Sequence, residues 1–401
     1  MGWRLPGGAE QAEPGRPAPG YVPVNGKQSP PGFAAATEGV RRCACDGRAV
    51  GWDYCRQRAR SGRQAARLGG DVALTDLYGR TATDLRVSVT DRCNLRCAYC
   101  MPAEGLDWLP KPELLTDEEL VRVVGLGVTR LGISEVRFTG GEPLLRRGLA
   151  GIIEGVAALT PRPEISLTTN GIGLDKLAGP LHAAGLDRIN VSLDTLSPET
   201  FVQLARRDRL GDVLKGLVAA AETGLAPVKV NAVLMRGMND HEAAALLRFC
   251  LAGGYQLRFI EQMPLDAQHG WRREQMVTAD EILAALSDEF SLTEADPADR
   301  GSAPAETFLV DGGPQTVGII GSVTRPFCAA CDRIRLTADG QLRNCLFART
   351  ESDLRTPLRA GASDDELAAV WQRCIQAKLP GHGINDAGFL QPARPMSAIG
   401  G

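Results

Sequence analysis

The chain has 401 residues, a formal net charge of −3, and 44% apolar and 23% charged residues. That balance is ordinary for a globular protein and argues against a surface built to coat nucleic acid, while leaving room for a local anion pocket. No run approaches eighteen apolar residues and the N-terminus lacks an apolar signal core, so a cytoplasmic enzyme with no membrane or nucleic-acid partner is expected.

Residues 1–70 combine a Pro/Gly-rich stretch ("PGRPAPGYVPVNGKQSPPG") with an arginine-rich one ("RQRARSGRQAARLGG") and show no sustained apolar periodicity. They read as a disordered or low-complexity extension. Cys43, Cys45 and Cys55 lie here, but no ordered scaffold surrounds them to hold a metal. Deleting residues 1–70 is therefore expected to leave the enzyme's activity nearly unchanged. A large loss of turnover, or loss of bound metal on replacing these three cysteines, would contradict that reading.

From about residue 76, strands alternate with amphipathic helical segments. The strand candidates are "LRVSVT" (85–90), "EVRFT" (135–139), "EISLTT" (164–169), "RINVSLD" (188–194), "VKVNAVLM" (228–235) and "QLRFIEQM" (256–263). Between them, "TDEEL" offers Thr116 as an N-cap with Glu119 three residues on, and "SPET" places Pro198 in a first helical turn. Six such repeats predict a parallel sheet curved into a partial (β/α)6 barrel of TIM type. Residues 71–299 would form this barrel, and 300–401 a more irregular C-terminal subdomain with its own cysteines.

Alternation puts Arg86, Ser88 and Thr90 on one face of the first strand, and Glu135, Arg137 and Thr139 on one face of the second. A parallel strand covered on both sides is normally almost all apolar. Polar faces of this kind suggest a lumen that holds something charged, or an ion-pair network between neighbouring strands. Lys229 stands between Val228 and Val230 in a chain where Arg far outnumbers Lys, so its place inside a strand is unusual.

Eleven cysteines, an odd number, make a poor disulfide framework, and their clustering suits metal binding in a reducing compartment. "CNLRCAYC" spaces Cys93, Cys97 and Cys100 as C-x3-C-x2-C directly after the first strand. Zinc would need a nearby fourth ligand, and no His precedes His182. A cubane iron–sulfur cluster with one unliganded iron accounts for three cysteines better. Further on, Cys328, Cys331 and Cys345 form a second set of three, with Arg333 and Arg335 two apart on a strand-like segment. Two guanidinia beside an incompletely ligated cluster suggest an anionic substrate. The alternative is a zinc knuckle with Cys374 as fourth ligand and two surface arginines. Neither reading assigns a role to Cys250.

The first set, with Tyr99 before its last cysteine and "TGGEP" (139–143) after the second strand, resembles the signature of the radical S-adenosylmethionine enzymes. Two glycines would permit close backbone approach and Glu142 would add an acceptor. The second set with "RIR" between its cysteines, and the ending Gly400-Gly401, resembles the GTP 3′,8-cyclase family, which acts first in molybdenum cofactor biosynthesis. The resemblance covers roughly residues 76–401. It implies two 4Fe–4S clusters, on Cys93, Cys97 and Cys100 and on Cys328, Cys331 and Cys345. It implies S-adenosyl-L-methionine contacts at Tyr99, Gly141, Ser192 and Met263. It implies GTP contacts at Arg86, Arg137, Thr168, Lys229, Arg333, Ile334 and Arg335, and catalytic roles for Arg333, Arg335, Gly400 and Gly401. It further implies an electron donor such as flavodoxin or ferredoxin, hand-over of product to cyclic pyranopterin monophosphate synthase, and allows a homodimer. A peptide-modifying radical enzyme with an auxiliary cluster, or a non-catalytic iron–sulfur or zinc protein, would explain the cysteines without explaining the cationic strand faces.

Overall fold

The computed structural model describes residues 73–400. The extension with Cys43, Cys45 and Cys55, and Gly401, lie outside the described residues. Six strands occupy the expected stretches: β1 (Asp84–Ser88), β2 (Glu135–Thr139), β3 (Glu164–Thr169), β4 (Arg188–Ser192), β5 (Val228–Val233) and β6 (Gln256–Ile260). Each pairs in parallel with the next. Four of the six end before the apolar pattern does, because the chain leaves the sheet to build the loops at the carboxyl end.

Helices α1 (Asp117–Arg130), α2 (Leu149–Ala157), α3 (Leu174–Ala183), α4 (Pro198–Ala205), α5 (Leu210–Glu222), α6 (Ala243–Gly253) and α7 (Ala279–Ser287) cross over between strands or follow them. Thr116 caps α1 as a full capping box with Glu119, and Ser197 caps α4 with Pro198 at its first position. These local signals set where each helix starts; burial holds it. Val87, Val136, Phe138, Ile165, Leu167, Val191 and Val230 are closed from solvent and pack with the inner faces of the helices in one apolar core.

The C-terminal region shares this sheet and extends it at both edges. β9 (Thr316–Ile320) lies parallel to β6 and carries β8 (Glu306–Val310) and β7 (Leu292–Glu294) as antiparallel neighbours. At the other edge β10 (Arg333–Leu336) lies parallel to β1 and is followed by antiparallel β11 (Gln341–Arg343) and β12 (Ser352–Asp353). The result is one twelve-stranded sheet in the order β12-β11-β10-β1-β2-β3-β4-β5-β6-β9-β8-β7. Side chains two strands apart meet on one face: Arg188 on β4 pairs with Glu135 on β2, and Arg258 on β6 donates to Asn190 on β4 at 2.8 Å. The sheet therefore wraps around that polar face as a barrel wraps its lumen. Three further helices, α8 (Arg355–Arg359), α9 (Asp364–Gln376) and α10 (Met396–Ile399), complete the chain. No helix among the described residues is long and apolar enough to cross a membrane.

Candidate active site

The first cysteine set sits at the carboxyl end of β1, on a loop clamped from two sides. On one side, Arg96 N donates to Ala205 O at 3.0 Å and Ala98 N to Leu204 O at 2.8 Å, so the end of α4 holds it. On the other, Gly141 N donates to Thr90 O and Glu142 N to Arg92 O at 2.8 and 2.7 Å. This contact explains the paired glycines. A Cβ on Gly140 would lie 2.4 Å from Thr90 O, and one on Gly141 2.4 Å from Arg92 O. The close approach that requires glycine is thus to the cysteine loop itself. Glu142 is spent internally too: its carboxylate accepts from Leu144 N, Thr169 Oγ1 and Asn170 N, tying the ends of β2 and β3 together. Burial pushes it up to about 7 against those bonds.

Cys93, Cys97 and Cys100 are half-buried and free of disulfides. Burial raises all three thiols, Cys100 to about 12, so each needs a cation to ionise, which iron bound there would supply. Among the described residues no three His, Cys, Asp or Glu side chains converge as a single-ion site would require. Three thiols each serving a separate iron corner fit better than a tetrahedral zinc site. Cys374, the alternative fourth ligand, lies on the buried face of α9, packed into the apolar core. Next to Cys100 a small cavity is lined by Tyr99, Val233, Gln262, Met263, Leu265 and Met396. Tyr99 donates to Asp194 at 2.7 Å, and Asp194, raised to about 6 by burial, also accepts from Val233 N. Tyr99 and Met263 are thereby brought together, while Gly141 sits against the main chain of the cysteine loop and Ser192 ends β4 opposite Asn231.

The lumen lies below this loop. Strand register places Arg335 level with Arg86, and Arg86 level with Arg137, making one row of three guanidinia across β10, β1 and β2. Arg137 stands beside Ser166, Lys229 beside Asn190, and Arg258 beside Asn231 and Gly318. Gly318 leaves room for Arg258, since a Cβ there would lie 2.9 Å from its Cγ. Asp84 pairs with Arg86, while Glu135 and Glu164 pair with Arg188. Arg137, Lys229, Arg258 and Arg335 make no direct ion pair with a carboxylate among the described residues, although Asp84 acts on Arg137 and Arg335 and Glu164 on Lys229 from farther away, and Arg86 Nε is buried without a hydrogen bond. The like charges tell on one another. Burial, with Arg258, Arg188 and Arg137 nearby, brings Lys229 down to about 7. Burial with Arg86 and Arg333 brings Arg335 down to about 9. Asp84, which burial would raise, is instead held at about 2 by Arg86, Arg137, Arg333 and Arg188. Such an excess of buried cations calls for a polyanion.

The second cysteine set lies at the opposite end of the same lumen. Cys331 precedes β10, whose first residue Arg333 pairs with Asp84 at the amino end of β1. Four strand steps from Asp84 to Ser88, at about 3.3 Å each, put roughly 13 Å of cationic channel between the two ends. Cys328, Cys331 and Cys345 are half-buried. Burial works to raise the Cys331 thiol, but Arg333 and Lys378 outweigh it and bring it below its usual value. Arg333 donates to Ser302 O at 2.9 Å and stacks 4.8 Å from the Phe327 ring centre. Ile334, expected at the substrate, turns its side chain away into the apolar core, so only its main chain faces that way.

The C-terminal tail enters the lumen from the cysteine-loop end. Arg394 forks onto Asp339, Met396 N donates to Leu265 O, and Arg335 donates to the carbonyl of Gly400. Gly400 has φ +83°, and a Cβ on it would meet Thr139 Cγ2 at 2.8 Å and Ser88 Cβ at 3.1 Å.

Several residues of this site escaped the sequence reading. Arg258 alternates with the buried Leu257 and Phe259 in a strand that was recognised, so its inward aim was available from period-2 spacing alone. Asp194 lies just past β4, where its reach to Tyr99 needs the fold. Lys378, far from any strand in sequence, has no local signal beyond the rarity of Lys.

Known proteins agree with this architecture. Residues 87–250 match the model of the Radical SAM superfamily, and residues 255–384 that of Molybdenum Cofactor Synthesis C. A Streptococcus suis SuiB crystal structure shares the fold with a TM-score of 0.51 at 14% identity, covering 85% of this chain and 74% of that one. The fold and cysteine loop define a radical S-adenosylmethionine protein. A Streptomyces coelicolor protein named GTP 3′,8-cyclase is 65% identical over 339 residues, covering 84% of this chain and 99% of its own length. One of the same name from Mycobacterium marinum is 58% identical over 357 residues, covering 88% and 99%. The chain belongs to the GTP 3′,8-cyclase family.

Proposed function

We propose that this chain converts GTP to (8S)-3′,8-cyclo-7,8-dihydroguanosine 5′-triphosphate, the first step of molybdenum cofactor biosynthesis, using S-adenosyl-L-methionine and two 4Fe–4S clusters. The observation that carries this reading is the cationic lumen strung between two three-cysteine sets. When bound, the reduced first cluster and S-adenosyl-L-methionine supply the 5′-deoxyadenosyl radical that takes hydrogen from the ribose 3′ carbon before ring closure at C8.

The chain's own residues bind, orient and shield. Arg86, Arg137, Lys229, Arg258 and Arg335 neutralise the triphosphate, with guanidinium forks suited to phosphate oxygens. Thr168, whose hydroxyl accepts from Asn190 at 3.2 Å, adds a polar contact on the same wall. Cys328, Cys331 and Cys345 would hold the second cluster at the amino end, where the guanine would dock, leaving the ribose toward the first set. Tyr99, Gly141, Ser192 and Met263 would hold S-adenosyl-L-methionine around Cys100. The tail closes the lumen against water that would quench a carbon radical. Reductive cleavage needs an electron, which a flavodoxin- or ferredoxin-type donor would bring, and the product would pass to cyclic pyranopterin monophosphate synthase.

The test is anaerobic incubation with GTP, S-adenosyl-L-methionine and a reductant, followed by mass analysis of the nucleotide. A nucleotide isomeric with GTP, formed with 5′-deoxyadenosine, supports the assignment; unchanged GTP with competent clusters would overturn it. Replacing Cys328, Cys331 and Cys345 by Ala is expected to leave one cluster and S-adenosyl-L-methionine binding intact, read by iron content and electron paramagnetic resonance. One stoichiometric zinc and no second cluster in the parent would contradict this.

A further inference from the structure

Lys378 follows α9 and is only 4% exposed. Of the five described lysines, three are exposed, and only Lys229 and Lys378 turn inward. The Lys378 ammonium spends its donors on Cys331 O at 3.1 Å, Arg333 O at 2.9 Å and Cys331 Sγ at 3.5 Å. Part of this is structural. β11 pairs only with Arg335 and Leu336, so the carbonyls of Cys331 and Arg333 have no strand neighbour on that side, and Lys378 takes its place. Carbonyls alone, however, do not balance a buried positive charge. No carboxylate pairs with Lys378 among the described residues, and the nearest group that can become anionic is the Cys331 sulfur.

We propose that Lys378 is the counter-charge of the second cluster: its ammonium bonds the ligating sulfur of Cys331 and makes that cluster easier to reduce. The inference rests on the two-cluster reading above. A cation fixed against a ligating sulfur stabilises the extra negative charge of the reduced state more than the oxidised one, and hydrogen bonds to cluster sulfurs act in the same direction. The same bonds hold Arg333 and Arg335 in register with β1, so the charge also links cluster and lumen wall.

The test uses the full chain with Cys93, Cys97 and Cys100 replaced by Ala, so that only the second cluster is read. Its midpoint potential is followed by electron paramagnetic resonance during a redox titration, with iron and sulfide counted on each sample. Lys378→Gln keeps donors without charge, and Lys378→Arg keeps charge with altered shape. The expected result for Lys378→Gln is a reduced-to-oxidised ratio lowered about tenfold at fixed potential, a negative shift of about 59 mV for one electron, with Lys378→Arg close to the parent. Loss of the cluster in Lys378→Gln but not in Lys378→Arg supports the same role. An unshifted Lys378→Gln, or equal shifts or equal cluster loss in both variants, would leave Lys378 a mere carbonyl cap and overturn the proposal. A parent lacking any cluster at Cys328, Cys331 and Cys345 would instead bring down the two-cluster reading, and this inference with it.

Discussion

Removing Gly400 and Gly401 is expected to cut product formation by two orders of magnitude or more while leaving both clusters and the fold in place. The Gly400 carbonyl accepts from Arg335, which is buried and lies in the guanidinium row with Arg86 and Arg137. A hydrogen bond to a charged group contributes roughly 1.5–3 kcal/mol, and losing it frees Arg335 to swing toward other acceptors. Misplacing one cation of the proposed triphosphate clamp then costs rate through orientation, where an error of about 1 Å is worth about 100-fold. Stability should fall by no more than that bond contributes, because a terminal dipeptide buries little area and the tail stays anchored upstream through Arg394 and Asp339. Gly400→Ala should reproduce most of the defect. Its Cβ would meet Thr139 and Ser88, and its φ of +83° is disfavoured for any residue with a side chain. The measurements are product yield, iron content and melting temperature. Full-length yield from the truncated chain would show the tail to be dispensable.

How much of this was readable beforehand follows the range of the interactions involved. Periodicity and capping are local, and they located β1 to β6 and the starts of α1 and α4. The polar faces of β1 and β2 were legible because alternation alone assigns Arg86 and Arg137 to one side. The placement of the cysteine sets at opposite ends of one lumen was not. It depends on β10 pairing with β1 across more than two hundred residues, and no local pattern in "RIR" says which edge of the sheet it will join. The same long-range pairing explains why residues 300–401 read as irregular: their strands are short and gain their partners from the barrel. Glu142 illustrates the converse. Its position after two glycines suggested an acceptor facing a ligand, yet three protein donors converge on it once β2 and β3 are side by side. Gly140 and Gly141 were recognised as sites of close approach, though the partner proved to be the Thr90–Arg92 main chain.

GTP binding to the chain should take up a proton and weaken as pH rises above about 7, and Lys229→Met should abolish that dependence. Lys229 lies in the lumen wall without a hydrogen-bond or ion-pair partner among the described residues, and burial among Arg258, Arg188 and Arg137 brings it down to about 7. A triphosphate reverses its surroundings: the anion favours the charged ammonium, so the pKa rises in the complex. Between the two values, affinity falls as pH rises, by roughly tenfold per pH unit, since each unit of pKa difference equals about 1.36 kcal/mol. Below about 7 the lysine is already charged and the dependence levels off. Arg335 and Arg258, each near 9, add the same sign only at higher pH, so the window from pH 7 to 8.5 isolates Lys229. Stability of the free protein runs the other way. A lysine depressed from 10.5 binds fewer protons folded than unfolded over that range, so its contribution to stability grows from about pH 7 toward 10.5. Titration calorimetry in buffers of differing ionisation enthalpy gives the proton count directly, and equilibrium dialysis gives the affinity. Lys229→Met should bind GTP about 100-fold more weakly at pH 7 by loss of one charge-assisted phosphate contact, with a flat pH profile that approaches the parent as pH rises. Equal slopes for parent and variant between pH 7 and 8.5 would place Lys229 away from the triphosphate.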